Sequence, residues 1–318
     1  MGAPDIAFSL LNHVSYSHID LQFDKRIAHT LWVTMKRNGA QPAHHFSLPL
    51  LHELRDVGRR LQAGASRWHH DGSIEPVNYA VLRSGHPDYF SLGGDLRLFR
   101  TCIRNRDRAS LLGYARLCID MMVERNACSN PGMSTISLVQ GRALGGGFEA
   151  ALAADYLVAE EKSTFGFPEI LFGLFPCTGA MSLLTRRVPV HQAQRLMTSG
   201  KMYSAYELHA MGLVDEVCNN GDGVMAVERH IARHAHRRAA HLSVRRALER
   251  TSPLDLAELQ QVVEDWVELA LGLNPEALRV MDMLISMQHR RTGTGEAPVI
   301  ESGIGNSAGD GGDESSVL

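Results

Sequence analysis

The spacing of apolar residues changes several times along the chain, and each change marks an element. From His18 to Met35 apolar positions alternate, with Leu31, Val33 and Met35 on one face, which predicts one or two strands. Leu51, Leu54, Val57 and Leu61 then follow a helical period, with Ser47 placed as a cap and the Ala63-Gly64-Ala65 turn as a stop. Val77 to Arg83 reads as a compact strand, Ser84 to Leu96 as a Gly- and Pro-containing loop, and Leu111 to Glu124 as a helix apolar nearly all round. Ser134 to Gln140 is a further strand. It runs into Gly145-Gly146-Gly147 and an Ala-rich helix, and a short strand pair follows. Val190–Met197 and Ser204–Met211 are short helices, and Gly212 to Asp215 leads into a brief strand. The last third is helical: a basic run from His230 to Arg250, then Asp255 to Leu271 with Leu259, Val262, Val263, Trp266, Val267 and Ala270 at helical spacing, then Leu273 to Met287.

Between these elements lie loops at Asn38-Gly39 with Pro42 and at Asn126 to Met133. The pattern divides the chain into an irregular arm (1–17), a core (18–220), a helical region (221–291) and a tail (292–318). The tail turns to Gly, Ser, Asp and Glu, a composition that predicts disorder. An apolar fraction of 44% against 21% charged residues is that of a soluble globular protein, and 318 residues suffice for one large core. The net charge of -3 gives no nucleic-acid signal. Five widely spaced cysteines (Cys102, Cys118, Cys128, Cys177, Cys218) make neither a disulfide nor a metal pattern, so reduced cytosolic thiols are expected. No secretory leader, myristoylation pattern or membrane span is visible, and a cytoplasmic location is the expectation.

Chemistry concentrates between Gln140 and Met181. The glycines allow a ligand close to backbone amides, and a helix start after a strand favours a developing oxyanion. Glu149 falls in the first turn of that helix, and a second carboxylate, Glu169, follows in Phe-Pro-Glu. Two carboxylates at one site can divide acid and base work. Taken singly, the triple glycine reads as tight helix–strand packing and Glu149 as a first-turn residue favouring the dipole. Cys177 lies nearby without an evident His partner, so it reads as a structural thiol.

The whole run is more distinctive than its parts. G-G-G-F-E, A-A-D-Y-x-V-A and F-G-F-P-E-I-x-x-G-x-x-P together resemble the crotonase superfamily of enoyl-CoA hydratases and isomerases. The resemblance spans roughly residues 20 to 290 and is sharpest from Ser84 to Val217, including Y-S-A-x-E-L-x-x-M-G-L-V-D. It implies an α/β fold, the ClpP/crotonase-type spiral of β-β-α units with a C-terminal helical region. Phe90-Ser91-Leu92-Gly93-Gly94-Asp95 stands where the family has its first oxyanion loop. By that match the amides of Gly94 and Gly146 are the oxyanion donors and Glu149 and Glu169 the catalytic pair. Leu144, Gly145, Leu174, Thr178 and Trp266 are expected to contact substrate. No metal or redox cofactor is implied.

Several stretches depart from ordinary hydratases. The early Asn-Ala-Leu motif is replaced by KRNGAQPAHHFSLPLL, and the segment after Glu169 reads L-F-G-L-F-P-C-T-G-A-M. With Ile19 to Asp24 and the T-L-W-x-x-M-K strand, these resemble the diffusible-signal-factor synthases, makers of cis-2-unsaturated fatty acid signals in quorum sensing. That branch implies dehydration of a 3-hydroxyacyl group on acyl carrier protein followed by thioester hydrolysis. It also implies a homo-oligomer (a trimer or dimer of trimers) and a possible partner in the receiver domain of a membrane sensor kinase. Cys177 and Thr178 stand where Gly and a bulkier apolar residue are usual. An ordinary enoyl-CoA hydratase or isomerase acting on CoA thioesters is the alternative, and a non-catalytic binding protein on the same scaffold is another. The basic helix, with Arg238, His241 and Arg245 near one face and His234 and Arg237 beside them, is either a solvated face or a docking patch for an acidic carrier.

Overall fold

The computed structural model describes residues 15–37, 45–125 and 132–289. The arm before residue 15, the Asn38–Pro42 loop, most of the 126–133 loop and the tail lie outside the described residues.

The strands are β1 (Ile19–Asp24), β2 (Thr30–Met35), β3 (Arg67–His70), β4 (Ser73–Pro76), β5 (Tyr79–Ser84), β6 (Tyr89–Ser91), β7 (Ser134–Val139), β8 (Arg142–Leu144), β9 (Tyr156–Glu160), β10 (Thr164–Gly166), β11 (Met202–Ser204) and β12 (Glu216–Cys218). A six-stranded sheet has the order β1-β2-β5-β7-β9-β12, and a four-stranded sheet has the order β11-β10-β8-β6. Long and short strands alternate between them. β5, β7 and β9 run parallel in the large sheet, and each passes at once to β6, β8 or β10 in the small one. Helical structure follows each pair, which gives three successive β-β-α turns of the crotonase spiral.

The helices are α1 (Leu48–Ala63), α2 (Leu96–Asn105), α3 (Arg108–Arg125), α4 (Gly146–Leu152), α5 (Ala180–Thr185), α6 (Val190–Thr198), α7 (Ala205–Ala210), α8 (Gly223–His234), α9 (Arg238–Thr251), α10 (Leu256–Leu271) and α11 (Pro275–His289). Strand alternation distributes β2 between two cores: Leu31, Val33 and Met35 face the main one, Trp32 the other. The second core lies under α8, where Ala226, Val227 and Ile231 meet Tyr79, Val81, Ile136, Leu138 and Val158. On the main side, Ser47 caps α1, whose Leu51, Leu54, Val57 and Leu61 are buried as their spacing predicts.

The corner between β7 and β8 explains one glycine. Gly141 has φ +96°, and a Cβ there would lie 2.1 Å from the Asp88 carbonyl oxygen. The Arg142 amide donates to that same carbonyl at 2.9 Å, so the close approach is what joins the short strand to its neighbour.

Three sequence expectations change. The Ser84–Leu96 stretch contains a strand, β6, because Tyr89, Phe90 and Ser91 are buried and pair with β8. The β3–β4 hairpin went unread, although its Asp71-Gly72 turn, with both residues at positive φ, is a strong hairpin signal. The basic run is not one helix, since a 3-10 turn at Ala235–Arg237 separates α8 from α9.

Arg233, Arg237, Arg246 and Arg250 of that run are exposed, but Arg245 is not. Arg245 Nη1 donates to the Met133 carbonyl at 2.6 Å and to Asp155 Oδ2 at 2.7 Å, and its side chain is 12% exposed. Asp155 also accepts from the Thr135 amide and hydroxyl, so Arg245 ties α9 to the β7–β9 region. Arg238 donates to the Gly132 carbonyl at 2.6 Å, and the His241 ring packs on His234 at 4.9 Å. Arg245 is therefore committed inside the fold and cannot serve a carrier-docking face, whereas Arg238 makes its bond at the surface. Arg245→Met should destabilise the protein by about 2–4 kcal/mol, because it strips the counter-charge from a largely buried Asp155. Thermal unfolding at neutral pH checks this, and an unchanged midpoint would return Arg245 to the surface.

Candidate active site

Two loops and two turns converge at one end of the small sheet. Gly93 and Gly94 follow β6. Gly145 and Gly146 follow β8. Glu169 lies in the 3-10 turn after β10 (Pro168–Phe172), and Thr178 precedes α5. All but Gly93 border a cavity of about 190 Å³. Its lining includes Gly94, Leu144, Gly145, Gly146, Glu149, Glu169, Thr178 and Trp266, eight of the nine residues expected at the site. The ninth, Leu174, is buried outside it and donates its amide to the Glu169 carbonyl at 3.0 Å. It supports the turn that carries Glu169 and does not line the cavity.

The loops are set by close backbone contact. A Cβ on Gly93 would lie 2.8 Å from the Leu144 carbonyl oxygen and 3.1 Å from the Gly146 nitrogen. The strands β6 and β8 thus bring two distant glycine loops together face to face. Among the described residues, neither the Gly94 nor the Gly146 amide has an acceptor within the protein. The first loop is braced from behind. The Phe46 amide donates to the Gly93 carbonyl at 2.8 Å. The Tyr114 hydroxyl donates to the Phe46 carbonyl at 2.6 Å and accepts from the Asp95 amide at 3.1 Å. Asp95 caps α2 through the Arg97 and Leu98 amides, as its position predicts.

Glu149 is carried on α4, which Phe148 anchors by packing against Phe165 and Phe167 at 5.2 and 5.0 Å between ring centroids. The carboxylate is 1% exposed. One oxygen accepts from the Thr178 and Ala180 amides at 2.8 and 2.9 Å, the other from the Thr178 hydroxyl at 2.5 Å. Burial pushes its pKa up to about 7, against the pull of these three donors. Glu169 is differently placed. Its Oε2 is shut off from solvent and finds no partner, and its Oε1 stands over Gly145, where a Cβ would be only 2.1 Å away. Burial, reinforced by the charge of Glu149, pushes it up to about 8. Two carboxyls that share a cavity are thus held differently: both oxygens of Glu149 accept hydrogen bonds, whereas Oε2 of Glu169 accepts none.

Cys177 also lines the cavity. Burial, then the nearby glutamates, hold its thiol far above the usual range, so it stays protonated and is a poor nucleophile. The apolar end of the cavity is formed by Cys118, Met121 and Met122 of α3 with Trp266 of α10, whose ring meets Phe99 at 5.1 Å. Tyr114, Phe46 and Arg142 were not foreseen. Tyr114 belongs to a helix whose apolar sequence predicts only burial, and nothing in the spacing links residue 46 to residue 93. Among the described residues no three His, Cys, Asp or Glu side chains gather as a metal-binding group, and no helix is long and apolar enough to cross a membrane.

The raised carboxyl pKa values make stability depend on pH. Unfolded, both glutamates titrate near 4.5; folded, they hold their protons to about 7 and 8. Below pH 4.5 both states are protonated and nothing is lost. As pH rises from there the unfolded chain releases protons that the fold retains, so stability falls up to about pH 8 and then levels. Glu169→Gln removes the less well-solvated charge. It should raise stability over the parent by about 2–4 kcal/mol at pH 8.5, and by little at pH 4.5. Parallel unfolding curves for parent and variant across that range would contradict the burial of Glu169.

Known proteins agree with this architecture. A family profile described as enoyl-CoA hydratase/isomerase matches residues 74–268. The chain is 34% identical over 163 residues to a probable enoyl-CoA hydratase, echA17, of Mycobacterium avium, covering 51% of this chain and 59% of that one. It is 39% identical over 90 residues to the mevalonyl-coenzyme A hydratase SIDH of Beauveria bassiana, 28% of this chain and 32% of that one. The chain thus spans about three-fifths or less of the length of these curated relatives. Among solved structures, the enoyl-CoA hydratase of Bacillus halodurans superposes with TM-score 0.70 at 21% identity, covering 84% of this chain and all of that one. Pseudomonas aeruginosa DspI gives 0.60 at 22%, covering 86% and 99%. These last two likenesses concern the fold. With more than half of its residues inside the profile match and the β-β-α spiral in place, the chain belongs to the enoyl-CoA hydratase/isomerase family.

Proposed function

We propose that this protein is a lyase for 3-hydroxyacyl thioesters, and that it goes on to hydrolyse the product thioester and release a cis-2-unsaturated fatty acid. The observation that carries the lyase step is the pair of carboxyls, Glu149 buried and held by three donors and Glu169 with an enclosed, unpartnered Oε2, beside two unengaged amides on a mostly apolar cavity. The thioester carbonyl accepts from Gly94 and Gly146, which stabilises an enolate. With one proton shared between the glutamates, the resting form places it on Glu169 and leaves Glu149 charged, the arrangement for adding water to a 2-enoyl group. Dehydration uses the other form: Glu169 takes the C2 proton, the C3–oxygen bond breaks, and Glu149 protonates the departing hydroxyl to water. Hydrolysis then adds water to the carbonyl carbon between the same amides, and the thiol leaves.

The release step and the cis geometry rest on the resemblance to the signal synthases, as do the acyl carrier protein substrate, the homo-oligomer and the sensor-kinase receiver domain as partner. The second reading, an ordinary hydratase of CoA thioesters, is favoured by the curated relatives at 34% identity. Incubating the purified protein with 3-hydroxydodecanoyl carrier protein, and separately with the CoA thioester, distinguishes them. Free cis-2-dodecenoic acid supports the synthase. A reversible mixture of hydroxyacyl and trans-2-enoyl thioester, with no free acid, supports the hydratase. No conversion of either sinks the lyase reading.

A further inference from the structure

The cavity has a dry end and a charged end. Cys118, Met121, Met122 and Trp266 are buried at the first. At the other stands Arg142, the one cation lining the cavity among the described residues. Alternate strand residues share a side, so Arg142 lies on the same face of β8 as Leu144; both are partly exposed, and Ala143 between them is fully buried. Leu144 leads directly to Gly145 and Gly146, and the Arg142 backbone is about 7 Å further back along the strand. The guanidinium is therefore set off from the reacting end, and its charge draws neither glutamate toward the ionised form.

Among the described residues no carboxylate forms an ion pair with Arg142. Its recorded side-chain contact is the Tyr89 ring, 5.9 Å from the centroid, and that ring is braced by the His86 ring at 4.9 Å. Arg142 is partly exposed and has no counter-charge within the described residues, so its charge is available to a ligand. A guanidinium within cation–π range of a braced aromatic ring is also held near one place, with its donors available to an anion. Both points mark the place where a ligand's negative group arrives.

We propose that Arg142 binds the phosphate ester of a phosphopantetheine arm, the acyl chain entering the dry end and the arm crossing Leu144 toward β8. This rests on the thioester reading above. The shared chemistry is the phosphate, which CoA and a carrier protein both present at the far end of the same arm.

The test compares one 3-hydroxyacyl group on pantetheine, phosphopantetheine, CoA and carrier protein, with the parent, Arg142→Met and Arg142→Lys. The phosphate should lower the parent's KM roughly tenfold to a hundredfold between pantetheine and phosphopantetheine. Arg142→Met should erase that difference, and Arg142→Lys should restore part of it. A penalty on both CoA and carrier substrates identifies the phosphate they share; a penalty on one alone assigns the subsite to that carrier. An unchanged phosphopantetheine-to-pantetheine ratio in Arg142→Met overturns the proposal, as does a loss confined to acyl chains bearing a terminal carboxylate. Calorimetry with S-methyl phosphopantetheine, which cannot react, keeps the two readings apart. Binding lost in Arg142→Met, with no turnover of any thioester by the parent, would retain the subsite and reject the lyase. Turnover with no Arg142-dependent binding would do the reverse.

Discussion

Glu149→Gln and Glu169→Gln each lower the dehydration rate by roughly a hundredfold to ten-thousandfold, with the fold retained. The reaction needs one carboxylate and one carboxylic acid at once, so the parent's rate should fall on both sides of a window bounded by the pair's two titrations. Raised pKa values of about 7 and 8 centre that window above neutrality, not near the usual pH 4 to 5 of carboxyl groups. Each single variant should lose the limb belonging to the group removed. The double variant should be little worse than either single one, because the two act as a unit. Steady-state rates from pH 5 to 10 check this. Parent-like turnover in both single variants would remove the acid/base role from this pair.

Gly146→Pro has a comparable effect by another route. It deletes an amide that finds no acceptor in the protein and leaves the helix start otherwise acceptable, since proline is tolerated at the first helical position. Loss of one oxyanion donor costs on the order of 3 kcal/mol of barrier, about a hundredfold or more. Dehydration and thioester hydrolysis should fall together, because both develop charge on the same oxygen. Gly146→Ala is the matched comparison. It keeps the amide, and its Cβ would meet no atom closer than 3.8 Å. A proline variant as active as the alanine variant would show that the amide does not contact the reacting carbonyl. A fall in hydrolysis alone would place the two steps at different sites.

The glutamates and glycine loops were legible because their short runs together resemble a known family; taken singly, each reads as ordinary packing or capping. Leu174, in the L-F-G-L-F-P-C-T-G-A-M segment, was expected to contact substrate, yet its amide holds the turn from outside the cavity. The brace formed by Phe46 and Tyr114 joins residues 68 apart, and no local pattern reports such a contact. Arg245 shows a different limit. An arginine that will be walled in by Asp155 and a backbone carbonyl looks the same in sequence as one that will stay solvated. Arg142 escaped for the same reason, although it opens the strand β8 that leads into the glycines that drew attention.

The sheet that frames the site is built from strands of three residues each, β6, β8, β10 and β11, whereas five of the six strands in the large sheet have five or six. So few ladder bonds per strand make it the part of the fold that opens most readily, ahead of any global unfolding. A ligand spanning the cavity would close that opening by mass action. The backbone amides of residues 142–144 and 164–166 should therefore exchange with deuterium faster than those of β5 and β7 in the free protein. They should slow on binding while β5 and β7 barely change, so amide exchange can report occupancy even for a compound the enzyme never converts.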